Sequence, residues 1–507
     1  MKTFIIFLLL TAFSTTTFAE SVDWEKVHSL TIQGIDQLYD LDMDRAGRTF
    51  DEVIRMAPDD PRGPFFKSMI YFWIFTLNKD KNAFDQFFEL SDEVIKRCER
   101  QLDADENNAV ATFYLGGIYG YRGLAYHRDG SLAKAAWDGR KGYMHLRDAA
   151  AMKPDLYDAQ MGFGLFSYLV GKLPKSSRWL LNILGFEGDV EGGLAALRLA
   201  AERGTYTRSE ATFYLSQFLN AENRPDEATK YLQRLLEKHP ENALFLVTHA
   251  QWEMRRDRID AAIASAQKAI AINNKNAVRM GDELAYSVLT NCYFVMNDFE
   301  NARASGETYL QKAENKDVVP NSLYYRLGIS LEVLGQRERA VAMYKQLKEA
   351  DQWQGGPWNQ QFFRRKELRL KRPLAEQDIL LIKAQNLASR GKHEDAVRFH
   401  LEVLKKNPST DQEALALYGI VQAYYEQQRF QEIPALAQRL VSLRPADETW
   451  VVPNGYFRLG QTFANLGRVA EAKQAFERVY DFSDYDFQSR LEARTDAELK
   501  KLNQAPQ

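Results

Sequence analysis

The chain has 507 residues, of which 45% are hydrophobic and 27% charged, with a formal net charge of -3. That near-neutral balance offers nucleic acid no bulk attraction. Two cysteines, Cys98 and Cys292, are too few for a disulfide-stapled scaffold. The length admits several ordinary domains or one long array of repeats.

Met1-Lys2, the apolar run Phe4 to Leu10 and the small-x-small site Thr17-Phe18-Ala19 read as a signal peptide over 1–19. Cleavage after Ala19 predicts an exported chain, periplasmic or secreted. No later run is long and apolar enough to span a bilayer, so the mature chain is expected to have no transmembrane segment.

Residues 20–154 read as expanded helical hairpins. The first unit runs from Val27 to Pro58, with Gly34, Ala46 and Phe50 as its marks and Met43-Asp44 as its turn. A Pro-rich break, Pro58 to Pro64, precedes a helix from Phe65 to Leu77 that is apolar nearly all round, hence buried on several sides. A long helix ending near Asp103 follows, then a hairpin with Leu115, Gly116 and Tyr119, whose second helix stops at Pro154. Residues 155–350 hold a deviant block and then regular units. In the block come Gly162-Phe163-Gly164, Leu173-Pro174, a short helix Ser177 to Leu184, and Gly185-Phe186-Glu187-Gly188-Asp189. Asp189 is placed to cap the next helix and Gly204 to close it. The regular units are marked by Ala228, Ala262, Ala302 and Ala340, the last with Leu327-Gly328 and Tyr344. Residues 351–373 read as a linker, because Gly355-Gly356-Pro357 cannot sit inside a helix. Residues 374–507 hold further units marked by Ala396 and by Gly460, Ala472 and Phe476, then a polar capping helix from about Asp486 to Leu502.

These marks resemble the tetratricopeptide repeat (TPR), with its period of about 34 residues. A small residue on the first helix lets the second approach, an alanine does the same from the other side, and an aromatic fills the gap. The resemblance implies an all-α fold, a helical-hairpin superhelix. The block from about Asp155 to Ile270 is similar to the TPR family of inclusion-body-clearance and mitochondrial outer-membrane proteins. The features are the Gly-x-Gly helix, the Leu-Pro step, Gly-Phe-x-Gly-Asp and a Gly-Leu-x-x-Leu helix. That likeness implies a scaffold with no catalytic residues to carry over.

Two stretches are candidate binding elements. One position of the first helices carries Gln217, Gln251, Asn291, Gln385, Gln422 and Gln461. Carboxamides donate and accept together, so a row of them can hold the backbone of an extended peptide. Tyr325 and Tyr425 sit on the same helices and add apolar contact. The competing reading is a set of polar fillers on a solvated face. The second stretch is the basic segment Arg364, Arg365, Lys366, Arg369, Lys371 and Arg372, interleaved with Phe362, Phe363, Leu368 and Leu370, after Trp353 and Trp358. Such a segment can touch anionic lipid or glycan, or it is a linker helix whose aromatics pack between repeat blocks.

Catalytic and metal signatures are lacking. Gly162-x-Gly164 has no third glycine and no preceding strand, and His393-Glu394 has no second histidine at the zinc-protease spacing. No metal, cofactor or catalytic residue is expected. The deviant block offers few groups that an enzyme reading can use, of which Glu187, Asp189 and Arg178 are the best. The sequence therefore points to a non-enzymatic scaffold of the bacterial cell envelope. It would hold a protein or peptide in its groove, with peripheral membrane or glycan contact through the basic segment as the alternative.

Overall fold

The computed structural model describes residues 22–78, 80–173, 188–275, 281–313, 319–348 and 365–504, all of them helix, turn or irregular chain, with no strand. The expected leader over 1–19, the expected helix Ser177 to Leu184 with Arg178, and Glu187, Gly355 and Arg364 lie outside the described residues. The chain divides into two compact units, up to Asn242 and from Ala243 onward.

In the first unit, α1 (Trp24–Tyr39), α2 (Met43–Met56), α3 (Arg62–Asn78), α4 (Lys81–Ala104), α5 (Ala109–Asp129) and α6 (Leu132–Met152) pack each against the next. They continue through α7 (Ala159–Gly171), α8 (Val190–Arg203), α9 (Arg208–Ala221) and α10 (Pro225–Lys238). The α1–α2 turn falls earlier than Met43-Asp44. Asp42 is the N-cap, accepting from the Arg45 N–H at 3.1 Å, and Met43 is already helical. Pro64 does not end a break but lies in the first turn of α3, where its missing N–H costs nothing. The all-round apolarity of α3 matches its setting, since it packs on α1, α2, α4 and α5. Asp189 caps α8 as its position predicts, accepting from the Gly192 N–H at 2.9 Å. Gly204 ends α8, though with φ -60° and not in the left-handed region. Space demands the glycine: a Cβ there would sit 2.5 Å from the Ala200 carbonyl oxygen and 3.1 Å from Asp158 Oδ1. That same Oδ1 accepts from the N–H groups of Thr205, Tyr206 and Thr207 and so fixes the start of α9.

In the second unit the hairpins are α11 (Ala243–Arg255) with α12 (Ile259–Asn273), α13 (Asp282–Val295) with α14 (Phe299–Lys312), and α15 (Asn321–Val333) with α16 (Arg337–Lys345). Helical residues 365–371, here α17, follow. Then come α18 (Glu376–Ser389) with α19 (His393–Lys405), α20 (Thr410–Glu426) with α21 (Ile433–Ser442), and α22 (Val451–Asn465) with α23 (Val469–Glu477). The last helix, α24 (Gln488–Gln504), packs on α22 and α23 and caps the stack.

The repeat marks do what their chemistry demands. Phe50, Tyr344 and Phe476 are fully buried. Each ring lies where a Cβ on Gly34, Gly328 or Gly460 would be. Burying each of those rings contributes about 1.5–3 kcal/mol. Cys98 and Cys292 are both free and buried, and burial pushes each thiol up to about 12. They are inert core residues.

Candidate binding site

The first helices of the second unit carry most of the candidate side chains. Their surroundings differ. Asn291 on α13 is taken by Arg326 of α15, which donates to its Oδ1. Gln461 on α22 accepts from Arg458 at 2.8 Å and donates to Glu498 at 3.4 Å. The Arg458 guanidinium lies 4.4 Å from the centre of the Tyr425 ring. Gln251 on α11 is half-buried. Gln385 on α18 is exposed, and neither it nor Gln251 makes a side-chain hydrogen bond among the described residues. Gln422 on α20 has its Oε1 buried without a donor. Gln217 stands in the first unit, with its Nε2 buried and unpaired. The position is therefore not a uniform row: some members are engaged internally, Gln385 is exposed, and the buried Gln422 Oε1 has no donor.

The described part of the basic segment, from Arg365 onward, does not project as a free charged surface. Lys366 Nζ donates to the Leu347 carbonyl at 2.9 Å. Arg337 of α16 donates to the carbonyls of Arg369 and Leu370 at 2.6 and 3.4 Å, a cation closing the C-terminal end of α17. Arg372 pairs with Asp378. Arg365 lies 3.7 Å from Glu448. Among the described basic residues of this segment, only Lys371 is exposed. Arg369 is only 8% exposed, and its Nε and Nη1 have no acceptor.

Glu332, on α15, holds this junction together. Its carboxylate accepts from Arg337 at 2.6 Å, from the Tyr344 hydroxyl at 2.7 Å and from the Leu374 N–H at 2.9 Å. Asp378 is similarly enclosed. Burial would raise its carboxyl, but bonds from Arg372, Gln412 and the Ala375 N–H outweigh this and hold it below the usual carboxylate range.

Two features that sequence reading treats as rivals thus meet. A cavity of about 320 Å³ is lined by Tyr325 (α15), Arg365 and Arg369 (α17), Gln385 (α18), His400 (α19), and Tyr418 and Gln422 (α20), with Glu448 and Trp450 at its edge. A neighbouring cavity of about 390 Å³ shares Arg365, Gln385, Tyr418 and Trp450 and adds Asn454, Asp486, Arg490 and Arg494. The Trp450 indole donates to Glu448 at 2.6 Å and meets Tyr418 edge-on at 5.3 Å. Sequence reading missed Trp450, His400, Glu448, Arg490 and Arg494 as lining residues. Only His400 left a signal, because it takes the aromatic position of its repeat, four residues after Ala396. Its ring lies where a Cβ on Gly419 would be. Burial pushes its imidazole down to about 4, so it stays neutral at physiological pH.

In the first unit, His239 bonds Asp40 at 2.7 Å and Ser209 at 3.4 Å. The order resembles a catalytic triad, but Ser209 and His239 are 5% and 1% exposed. The serine is out of a substrate's reach, and the chain of bonds ties α1, α9 and α10 together. No cluster of metal-binding side chains occurs among the described residues, and no described helix is long and apolar enough to cross a membrane.

Residues 158–346 match the family described as Iml2/Tetratricopeptide repeat protein 39, and residues 453–484 match the tetratricopeptide repeat itself. The first match begins with the deviant block and runs well past Ile270. No curated protein matches the chain. Similar solved structures include human IFIT1 with PPP-AAAA, at 13% identity over 92% of this chain and 96% of that one, TM-score 0.34. Yeast Tom70 is similar at 11% identity over 90% and 99%, TM-score 0.30. YrrB, a TPR protein with an unusual peptide-binding site, is similar at 17% identity over 44% and 96%, TM-score 0.21. The chain is a TPR-type helical scaffold.

Proposed function

We propose that this TPR scaffold holds an extended polypeptide against the first helices of its second unit, and that it does so in the bacterial cell envelope after export. The observation that carries the binding reading is the pair of open cavities between successive repeats, where Gln385 and Gln422 keep unused hydrogen-bonding capacity beside Tyr418 and Trp450. Carboxamides satisfy peptide N–H and C=O groups without reading side chains, and aromatic walls add sequence-tolerant contact. A stack of packed hairpins is pre-organised, so the ligand bears most of the ordering cost. The leader over 1–19 supports the envelope setting.

The test is a photo-crosslinking amino acid placed at Gln385 in the full chain, expressed in its own host, with Arg398 as control, since that side chain is 76% exposed on α19. The expected result is a defined polypeptide adduct from position 385 only, on a mature chain that mass spectrometry finds to begin at Glu20. Equal labelling from both positions, or none from 385, would overturn the groove. An intact leader would overturn export.

A further inference from the structure

The position of Arg369 is costly as it stands. A guanidinium cannot shed its proton to escape burial, and buried donors left without acceptors are destabilising even where a carboxylate such as Asp378 lies near enough to act on the charge. Arg369 is 8% exposed, two of its nitrogens lack acceptors, and it lines the 320 Å³ cavity. Nearby carboxylates are already committed. Asp378 accepts from Arg372 and Gln412, and Glu448 accepts from Trp450 and faces Arg365. What the cavity lacks is one further acceptor.

We propose that the acceptor is the carboxylate of an acidic side chain on the bound polypeptide, seated beside Arg369. This rests on the groove reading above and adds its specificity. The opening suits that group. Leu381, Ile382 and Leu415 give apolar walls for a short methylene stem, and Gln422 Oε1 awaits a donor such as the peptide N–H. Asp378 and Glu448 on the lining disfavour a doubly charged phosphate, which would face both of them, whereas a single negative charge is balanced by Arg369. The second cavity continues the path and is lined by the exposed Arg490 and Arg494 together with Asp486, so a second acidic residue is accommodated further along. The cation comes from α17, the helix inserted between repeats, and not from a repeat's own first helix.

The test uses the full mature chain and three probes. One is an acetylated, amidated seven-residue peptide of alanines with one tyrosine and one glutamate. The second is the same peptide with glutamine for glutamate, and the third is free glutarate. Affinities are read by calorimetry, and stability by the urea midpoint. The expected result is at least tenfold tighter binding of the glutamate peptide than of the glutamine peptide. Arg369→Met should shrink that ratio to within twofold without lowering the midpoint, because it removes two buried donors that have no acceptor. Equal binding of the two peptides by the native chain would overturn the carboxylate inference and leave the groove standing. Binding of glutarate but of neither peptide would assign the cavity to a free acid and overturn both readings. No binding of any probe, with a lowered midpoint for Arg369→Met, would make Arg369 structural and also overturn the inference. The native-chain comparison decides even if the variant fails to fold.

Discussion

At Gly328 the whole repeat logic is reduced to one missing methyl group. A Cβ there would collide with the Tyr344 ring, whose hydroxyl is tied to Glu332, so the ring cannot turn aside. Gly328→Ala is therefore expected to destabilise the second unit by about 1–3 kcal/mol, the usual cost of overpacking. Gly120, in the middle of α5, has nothing within 4 Å of its missing Cβ. Gly120→Ala should stabilise by about 0.5–1 kcal/mol through backbone entropy alone. Urea midpoints of the two variants should move in opposite directions, and a loss at both positions would show that glycine spacing is not what sets the packing. Pairs such as Gly328 with Tyr344 are legible in sequence because both partners fall inside one period. The setting of Arg369 is not legible, because it depends on an inserted helix folding back onto Arg337 and Glu332, and no periodicity encodes that return.

Each hairpin turn of the regular repeats carries a residue in the left-handed region. Leu41, Asn223, Asp257, Asn297, Gly335, Gly391, Gln428 and Gly467 all have positive φ, and each lies five positions before Ala46, Ala228, Ala262, Ala302, Ala340, Ala396, Ile433 and Ala472. The alanines are visible in the sequence, but the turn position is not, because five different residue types fill it. Only glycine adopts that conformation without a steric penalty. Gln428 has φ 59° and is exposed, so little packing is lost on replacing it. Gln428→Gly should raise stability by about 0.5–1 kcal/mol, measured by urea unfolding. A lowered midpoint would mean that the Gln428 side chain has a task of its own. The long helices α4, α5 and α6 are readable from their apolar faces and stops: α4 ends at Ala104, beside the expected Asp103, and α6 at Met152, just before Pro154.

Across the molecule, two buried groups make the units respond oppositely to acid. Glu210, in the first unit, accepts from the Tyr121 hydroxyl, and burial pushes its carboxyl up to about 7. Its folded value is above the unfolded one, so its contribution is complete below about pH 4.5 and is lost as pH rises through 7. His400, in the second unit, is depressed to about 4, so its contribution is complete above about pH 6.5 and is lost as pH falls toward 4. Each is worth at most about 3 kcal/mol. Between pH 7 and 5, amide protection, taken relative to the intrinsic exchange rate at each pH, should rise in Arg208–Ala221 and fall in His393–Lys405. Glu210→Gln should remove the first trend and His400→Asn the second. Parallel changes in both helices would refute the assignment. The grip on α17 has a different consequence. Arg337 holds the carbonyls of Arg369 and Leu370, and the Lys366 ammonium grips a carbonyl of the preceding repeat, so these anchors are blind to what stands at 365 and 369. On the proposed reading, the repeats supply a frame and the insert supplies the reader, so exchanging two side chains on one short helix would re-address the molecule to a different cargo while every hairpin stays as it is.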